Sequence, residues 1–331
     1  MPDVSVILPV FNATTTIARA VDSILQQVSV DLELIVVDDG STDDTVCAVR
    51  NVCDDRLKIV RRDHAGVATA SNAGLKTAQA EVIARMDADD FAYPQKLQKQ
   101  LEALQRQSLD VIGCGVRILN ANNTVPEGLQ RYERWINEET ATPEQILALR
   151  FVEFPLVNPT ILAKREYFEL EFTDNELPED YDLMLTAAAR GLRFGKLNEV
   201  LFDWRDGPSR LTRTDDRYSR DAFMKCRRKH LLHGPLKNVS RVDLWGAGQT
   251  GKPWLRWLRR QNIEVRRAYD VHPRKIGRRI HNVPIVDVEQ MLPADGTPLL
   301  VAVGTDGARA LIHEHVIKFG YFAGNDTWFV A

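Results

Sequence analysis

The N-terminal part of the chain alternates short apolar runs with stretches in which apolar residues recur every three or four positions. Runs rich in β-branched residues occupy residues 4–10, 32–37, 57–60 and 82–86. The intervening stretches have the spacing of amphipathic helices, and one helix is predicted to open at Ser41 because Asp44 completes a capping box. Strands that alternate with helices predict a parallel sheet with helices on both faces.

The pattern changes beyond residue 95 and then starts afresh near residue 241. The middle of the chain is predicted to be mainly helical, with strands at 111–119 and 161–163 and a basic helix at 215–232. A strand at 242–245, a glycine-rich turn, a helix and a second strand follow. We therefore predict a first α/β domain over residues 1–232, a linker over 233–240 and a small Rossmann-like α/β domain over 241–331.

The composition excludes several classes of protein. Hydrophobic residues make up 44% and charged residues 27%, which argues against a disordered, collagen-like or disulfide-stapled chain. The four cysteines show no CxxC spacing, so neither a zinc site nor a redox motif is indicated. The N-terminus lacks a basic signal-peptide region, and no apolar run reaches the roughly 18 residues that span a bilayer. A cytoplasmic protein is expected.

The net charge of −3 conceals a strong asymmetry. Residues 205–281 hold 21 basic and 7 acidic side chains, a local balance of +14, whereas the rest of the chain sums to −17. Such a segment suggests contact with something anionic. Trp254 and Trp257 beside Arg256 suit peripheral contact with an anionic membrane at its inner face. Alternatively, the tryptophans belong to the core and the arginines pair with acidic residues. No nucleic-acid-binding motif accompanies the charge, so nucleic acid is not expected.

Acidic residues follow two of the predicted strands. Asp38 and Asp39 end the second strand, and Asp87 and Asp89 end the fourth. Ligands of parallel sheets bind beyond the carboxyl ends of the strands. Asp87 and Asp89 are spaced to face a hard cation such as Mg²⁺ or Mn²⁺, or they simply cap the next helix. Asp39 suits a hydrogen bond to a nucleobase or ribose, or is ordinary turn chemistry.

A further pair of carboxylates precedes an apolar helix. Glu179 and Asp180 follow Pro178, and one of them has the chemistry of a general base toward an acceptor hydroxyl. The alternative is an acidic helix start that complements the helix dipole.

Together these motifs resemble those of a known family. The segments that carry the resemblance are residues 4–12, 37–43, 86–90 and 179–180. In this order and spacing they are similar to the successive signatures of family 2 glycosyltransferases with the GT-A fold. The resemblance extends over about residues 3–210.

The resemblance implies roles for residues of a donor site. Pro9 and Phe11 would line the nucleotide pocket, and Asp39 would contact the base, commonly uracil. Asp87 and Asp89 would hold the ribose and a divalent metal, Mn²⁺ or Mg²⁺, with Asp89 the stronger metal ligand. The donor would be a nucleotide-sugar, a UDP-sugar in particular.

The resemblance also implies a mechanism. Asp180 matches the catalytic base, which would deprotonate the acceptor as it attacks the anomeric carbon, with inversion in one in-line displacement. The transition state is oxocarbenium-like and the leaving diphosphate gains charge that a cation neutralises. Two positions depart from the family pattern: Ser71 stands where an arginine is common, and Asn158 where a histidine is common.

The glycine-rich turn of the second domain raises a separate hypothesis. Gly246, Gly248 and Gly251 follow a predicted strand and open a helix, and Asp270 ends the next strand. This context is that of a dinucleotide fingerprint, with Asp270 on a ribose. The segment is also similar to the small Rossmann-like domain attached to several nucleotide-sugar and acyl-transfer proteins, where such turns bind a nucleotide or serve packing.

These observations predict an inverting, metal-dependent glycosyltransferase of cell-surface polysaccharide biosynthesis. It would move a sugar from a nucleotide-diphosphate donor to a glycan or lipid-linked glycan acceptor. Two alternatives stay open: an NAD(P)-linked oxidoreductase that uses the Gly246 turn, and a non-catalytic module that binds anionic surfaces.

Overall fold

The chain folds into two compact units. The computed structural model describes residues 1–120, 124–173, 176–208, 210–305 and 307–331. The first unit comprises Met1–Ile146 and Pro155–Cys226, and the second comprises Leu147–Phe154 and Arg227–Ala331. This division lies earlier in the chain than the linker that the sequence predicts at 233–240, and it assigns residues 147–154 to the second unit.

A mixed sheet forms the centre of the first unit. Its strands are β1 (Val4–Val10), β2 (Leu32–Asp38), β3 (Leu57–Arg61), β4 (Val82–Arg85), β5 (Phe91–Ala92), β6 (Val111–Asn120), β7 (Leu162–Lys164) and β8 (Phe194–Asp206). They are ordered β3-β2-β1-β4-β7-β6-β8-β5. The first four are parallel, β7 runs antiparallel to both its neighbours, and β8 is parallel to β6. The predicted α/β fold with a mixed, mainly parallel sheet is confirmed.

Helices connect these strands. They are α1 (Ile17–Leu25), α2 (Thr45–Arg50), α3 (Val67–Thr77), α4 (Lys96–Arg106), α5 (Glu127–Glu138), α6 (Pro143–Leu149), α7 (Arg165–Phe168), α8 (Glu179–Ala189), α9 (Leu211–Thr214) and α10 (Arg220–His233). The predicted start of α2 is wrong. The Ser41 hydroxyl accepts the Asn12 N–H instead of capping the helix, and the Asp43 carboxylate accepts the Thr45 N–H. Local spacing could not reveal this, because the partner of Ser41 lies on another loop.

The central strands of the sheet are buried, and they end at the same edge. Every residue of β1 and β2 is buried, as expected for parallel strands covered on both faces. Val10 at the end of β1 pairs with Asp38 at the end of β2, and β4 lies on the other side of β1. The loops that follow these strands therefore meet at one edge of the sheet.

A second parallel sheet forms the other unit. Its strands are β9 (Arg241–Trp245), β10 (Glu264–Asp270), β11 (Arg279–Ile280), β12 (Val283–Asp287), β13 (Leu299–Val301) and β14 (Thr327–Phe329), and its helices are α11 (Gly251–Arg260) and α12 (Ala308–Lys318). The sheet order is β11-β12-β10-β9-β13-β14, with β11 antiparallel. The five parallel strands thus follow the 3-2-1-4-5 order of doubly wound sheets. The Rossmann-like identity of this unit stays a prediction.

The tryptophans of α11 belong to the core of the second unit. Trp254 and Trp257 are buried, and their rings meet edge to face at 5.3 Å between centroids. Their burial favours the core interpretation over insertion into a membrane interface. Among the described ranges, no helix combines the length and the apolar character needed to cross a bilayer.

Candidate active site

Two groups of predicted site residues come together at the carboxyl edge of the first sheet. One group surrounds Asp39 after β2, and the other surrounds Asp87 after β4. Asp180 interacts electrostatically with Asp87 and belongs to the second group. Gly246, Gly248 and Gly251 belong to the other unit and are described separately below.

Asp39 is almost completely buried, and its carboxylate organises the loop that follows β3. It accepts the backbone N–H of Gly66 at 2.8 Å and that of Ala65 at 3.2 Å. The Arg62 Nε lies 3.3 Å away. These contacts hold the carboxylate at a position where ligands of such sheets are expected.

Phe11 and His64 form a stacked pair beside this carboxylate. Their ring centroids are 4.1 Å apart at an interplanar angle of 29°. The Nδ1 of His64 lies 2.9 Å from an Asp39 oxygen. Phe11 is exposed, as a residue that lines a pocket would be, whereas Pro9 is a buried residue of β1 opposite Val37. Sequence reasoning missed His64, whose only signal is its place after a parallel strand.

A buried arginine anchors the second group. The Arg85 guanidinium is only 3% exposed, and its Nη1 lies 2.8 Å from an Asp87 oxygen. It also lowers the pKa of Asp180, against the larger effect of burial. Sequence reasoning missed Arg85, although a lone charge at the end of an apolar strand was a usable signal.

Negative charge accumulates at the loop after β4. Burial and the charge of Asp87 raise the pKa of Asp89, and Arg210 partly offsets them. Asp90 is buried: one of its oxygens accepts the Arg205 N–H at 2.7 Å, and the other has no hydrogen-bond partner in the described structure. Burial and both neighbouring carboxylates raise the pKa of Asp90 well above its usual range.

This donor set fits a divalent cation. Carboxylate oxygens are the ligands that Mg²⁺ and Mn²⁺ prefer, and Asp87 and Asp89 remain partly accessible. A cation would relieve the repulsion that raises the pKa of Asp89. Asp87 and Asp89 are the residues that would hold it.

Asp180 lies in the first turn of α8. Burial and the charge of Asp87 raise its pKa to about 6, although its carboxylate accepts the Tyr181 N–H at 2.7 Å. A carboxylate with this pKa is largely ionised at neutral pH and still accepts a proton readily. These are the properties of a general base.

The carboxylate of the neighbouring Glu179 is already hydrogen-bonded to another side chain. Both of its oxygens lie within hydrogen-bond distance of the Tyr218 hydroxyl, at 2.6 and 2.7 Å. Burial and the charge of Asp180 raise the pKa of Glu179 to about 7. Because Tyr218 already donates to Glu179, Asp180 is the better placed of the two to take a proton from a ligand.

Arginines from the start of the basic stretch 205–281 border the carboxylates. Arg210 acts on Asp89, and Arg217 acts on Glu179. The Arg210 guanidinium lies 4.0 Å from the centre of the Trp204 ring, which holds it by a cation–π contact. Part of the basic stretch therefore interacts with acidic residues inside the first unit.

The glycine-rich turn of the second unit is closely packed. Gly246 has a φ of +99°, and a Cβ on Gly251 would lie 1.8 Å from the Gly246 carbonyl oxygen. The Asp270 carboxylate accepts the Ala247 N–H and the Lys275 ammonium, both at 2.9 Å. Gly246 and Gly251 therefore have a packing role whether or not a nucleotide binds. The dinucleotide hypothesis stays a prediction.

Curated relatives of this chain include glycosyltransferases of bacteria. The uncharacterized glycosyltransferase EpsJ of Bacillus subtilis is 27% identical over 64% of this chain and 63% of its own length. The succinoglycan biosynthesis protein ExoO of Rhizobium meliloti is 30% identical over 58% of each chain. The Escherichia coli glucosyltransferase WfgD is 35% identical over 37% of this chain and 49% of its own. The chain thus spans less than two thirds of each of these relatives.

A solved structure and a family model are also similar to this chain. The structure of S. aureus TarS 1-349 in complex with UDP-GlcNAc superposes with a TM-score of 0.57 at 21% identity, over 71% of this chain and 68% of that one. It shares the fold. The model of glycosyl transferase family 2 matches residues 5–170, half of the chain. With its motifs, its sheet and this match, the chain belongs to glycosyl transferase family 2.

Proposed function

We propose that the protein is an inverting glycosyltransferase that transfers a sugar from a UDP-sugar to a glycan or lipid-linked glycan acceptor. The observation that carries this proposal is the combination of Asp180, with a pKa near 6, and the carboxylates Asp87 and Asp89 at one sheet edge. A base and a separate cation site on different segments are what an in-line displacement needs.

The chemistry follows from these residues. Asp180 takes the proton of the acceptor hydroxyl while the hydroxyl oxygen bonds to the anomeric carbon. The bond from that carbon to the diphosphate oxygen breaks, and the electron pair leaves with the nucleoside diphosphate. A divalent cation held by Asp87 and Asp89 would neutralise the diphosphate. Attack opposite the leaving group inverts the anomeric configuration.

The choice of donor rests on the group around Asp39 and on the relatives. Phe11 offers an aromatic face and Asp39 an acceptor for a base N–H. TarS was solved with UDP-GlcNAc, and WfgD is named as a glucosyltransferase that uses UDP-Glc and a diphosphoundecaprenol-linked acceptor. A uridine donor and a lipid-linked glycan of cell-surface polysaccharide synthesis are consistent with both names.

Cytoplasmic location with peripheral membrane contact belongs to the same proposal. Arg256, Arg259, Arg260 and His281 line a cavity of about 350 Å³ in the second unit. In the part of the chain that the structure describes, these three arginines have no ion pair with a carboxylate. Such a cavity suits phosphate groups of an anionic lipid surface.

The competing hypotheses have less support. An oxidoreductase would need Asp270 for a ribose, but that carboxylate already serves Ala247 and Lys275. A non-catalytic module would not need Asp180 and Asp87 to be assembled around Arg85 at the sheet edge.

Donor turnover with and without metal tests the proposal. The protein is incubated with Mn²⁺ and a panel of nucleotide-sugars, and release of nucleoside diphosphate is measured. Turnover of a UDP-sugar that is lost in Asp89→Ala and kept in Asp22→Ala, an exposed carboxylate of α1, is expected. The proposal fails if no nucleotide-sugar is turned over, or if Asp89→Ala changes nothing.

A further inference from the structure

His64 engages the two groups that the proposed function assigns to a nucleobase. Its imidazole stacks on Phe11 with centroids 4.1 Å apart, and its Nδ1 lies 2.9 Å from an Asp39 carboxylate oxygen and 3.0 Å from the Asp39 backbone carbonyl oxygen. A planar base that stacks on Phe11 and donates an N–H to Asp39 would make the same two contacts. The imidazole therefore resembles the expected ligand in its planar shape and in the approach of a ring nitrogen to Asp39.

The carboxylate has little capacity left for a second ring. The oxygen that faces His64 also accepts the Gly66 N–H at 2.8 Å, and the other oxygen contacts Ala65 and Arg62. Asp39 is itself only 2% exposed, so its approach from solvent is narrow. A base that reaches this carboxylate must take over the place of the imidazole.

The main chain around His64 is held firmly. Asp39 binds the two N–H groups that follow His64, and the His64 backbone packs on Gly40. A Cβ on Gly40 would lie 2.8 Å from the His64 nitrogen, so only glycine allows this approach. The loop is therefore not free to open as a whole.

The His64 ring, in contrast, is free to leave. Its side chain is 55% exposed, so more than half of it already faces solvent. Rotation about its side-chain bonds would carry it into solvent without disturbing the buried core. Phe11 and Asp39 would then be available together.

We propose that His64 occupies the nucleobase site of the free protein and is displaced by the base of the donor. This inference rests on the proposed function and names a residue that sets the affinity for the base. A base must offer both a stacking face and an N–H donor to replace the imidazole, as uracil does with its N3–H. A molecule without a base does not compete with His64.

Binding of three ligands in the presence of Mg²⁺ distinguishes competition for the nucleobase site from a general effect of the His64 substitution on ligand binding. Uridine, UDP and inorganic pyrophosphate are titrated by calorimetry into the unaltered protein, into His64→Ala and into the control His233→Ala, which alters an exposed histidine of α10. In His64→Ala the Kd for uridine and UDP should fall by about threefold or more, because a competing state is removed. The Kd for pyrophosphate should not change, and His233→Ala should behave as the unaltered protein.

A spectroscopic measurement on the unaltered protein provides a second test. The ring protons of His64 should be shifted upfield by Phe11 in the free protein and lose this shift when uridine saturates the site. The inference is overturned if uridine binds more weakly to His64→Ala, since His64 would then contact the base directly. Unchanged uridine binding or an unchanged ring shift would also overturn it. If the unaltered protein binds neither UDP nor uridine, the proposed function itself fails.

Discussion

The Arg85 Nη1 lies 2.8 Å from an Asp87 oxygen, and the same guanidinium lowers the pKa of Asp180. The buried guanidinium of Arg85 thus interacts with both the predicted metal ligand Asp87 and the predicted base Asp180. Because Arg85 is nearly inaccessible while Asp87 is 33% exposed, most of the free-energy cost of removing this pair from water falls on the Arg85 guanidinium. Its position is explained by the carboxylates that surround it.

Replacing this cation should affect both carboxylates. Arg85→Gln removes the positive charge, so the pKa of Asp180 should rise further and the acid limb of the pH–rate profile should move to higher pH. We expect a loss of about 2 kcal/mol in the free energy of unfolding, less than for a fully buried pair because Asp87 keeps solvent. Urea unfolding and rate profiles measure both. An unmoved acid limb would contradict the coupling.

The base itself is tested by Asp180→Asn. The amide keeps the shape of the side chain but cannot take a proton, so transfer should fall by about 10² to 10⁴. Donor binding by calorimetry should be nearly unchanged. The matched control is Asp216→Asn, which alters an exposed carboxylate outside the site, whereas Asp182 is buried. Equal loss of binding and transfer in Asp180→Asn would mean a structural role.

The pKa of Asp180 predicts the pH dependence of transfer. The ionised form is active, so kcat/KM should fall about tenfold per pH unit as pH drops below about 6. The contribution of Asp180 to folding stability changes with pH in the opposite direction to the rate. A carboxyl whose pKa is raised by folding favours the folded state below its unfolded value of 3.8, and this contribution is lost as pH rises through about 6. A flat rate profile between roughly pH 5 and pH 7, where a carboxyl with this pKa titrates, would contradict the assignment.

The glycines of the second unit allow packing and ligand binding to be separated. A Cβ on Gly251 would lie 1.8 Å from a backbone oxygen, whereas one on Gly248 would meet only the Lys275 ammonium at 3.5 Å. Gly251→Ala should therefore cost about 1–3 kcal/mol in denaturant unfolding, and Gly248→Ala should cost little. Equal stability of the two variants would contradict the packing role. Loss of nucleotide binding in Gly248→Ala would support the dinucleotide hypothesis.

The arginine-lined cavity predicts binding to anionic vesicles. Arg259→Gln should weaken co-sedimentation with phosphatidylserine vesicles about fivefold, since one basic group near such a surface contributes about 1 kcal/mol. Lys318→Gln, an exposed lysine of α12, serves as the matched control. Binding that persists in strong salt, or that responds equally to both variants, would exclude an electrostatic contact through this cavity.

The sequence by itself determined six strands of the first sheet, β1–β4, β6 and β7, and the edge at which its chemistry gathers, whereas it did not predict β5 and β8. Apolar runs such as residues 4–10 encode burial on both faces, and parallel strands must end at the same edge. This is why Asp39 and Asp87 could be placed without coordinates. The sequence left two interpretations of Trp254 and Trp257 open, and their burial in the structure favours the core.

Only the tertiary structure decided which side chains these carboxylates meet. His64 reaches the carboxylate and the backbone oxygen of Asp39 across 25 positions, and Tyr218 reaches Glu179 across 39. No local pattern records such pairs. The start of α2 was missed for the same reason, since Ser41 is engaged by Asn12 from another loop. Periodicity reports which face of an element is buried. The partner of a polar group depends on how distant elements pack, and that packing sets the pKa of Asp180 and the occupant of the site at Phe11.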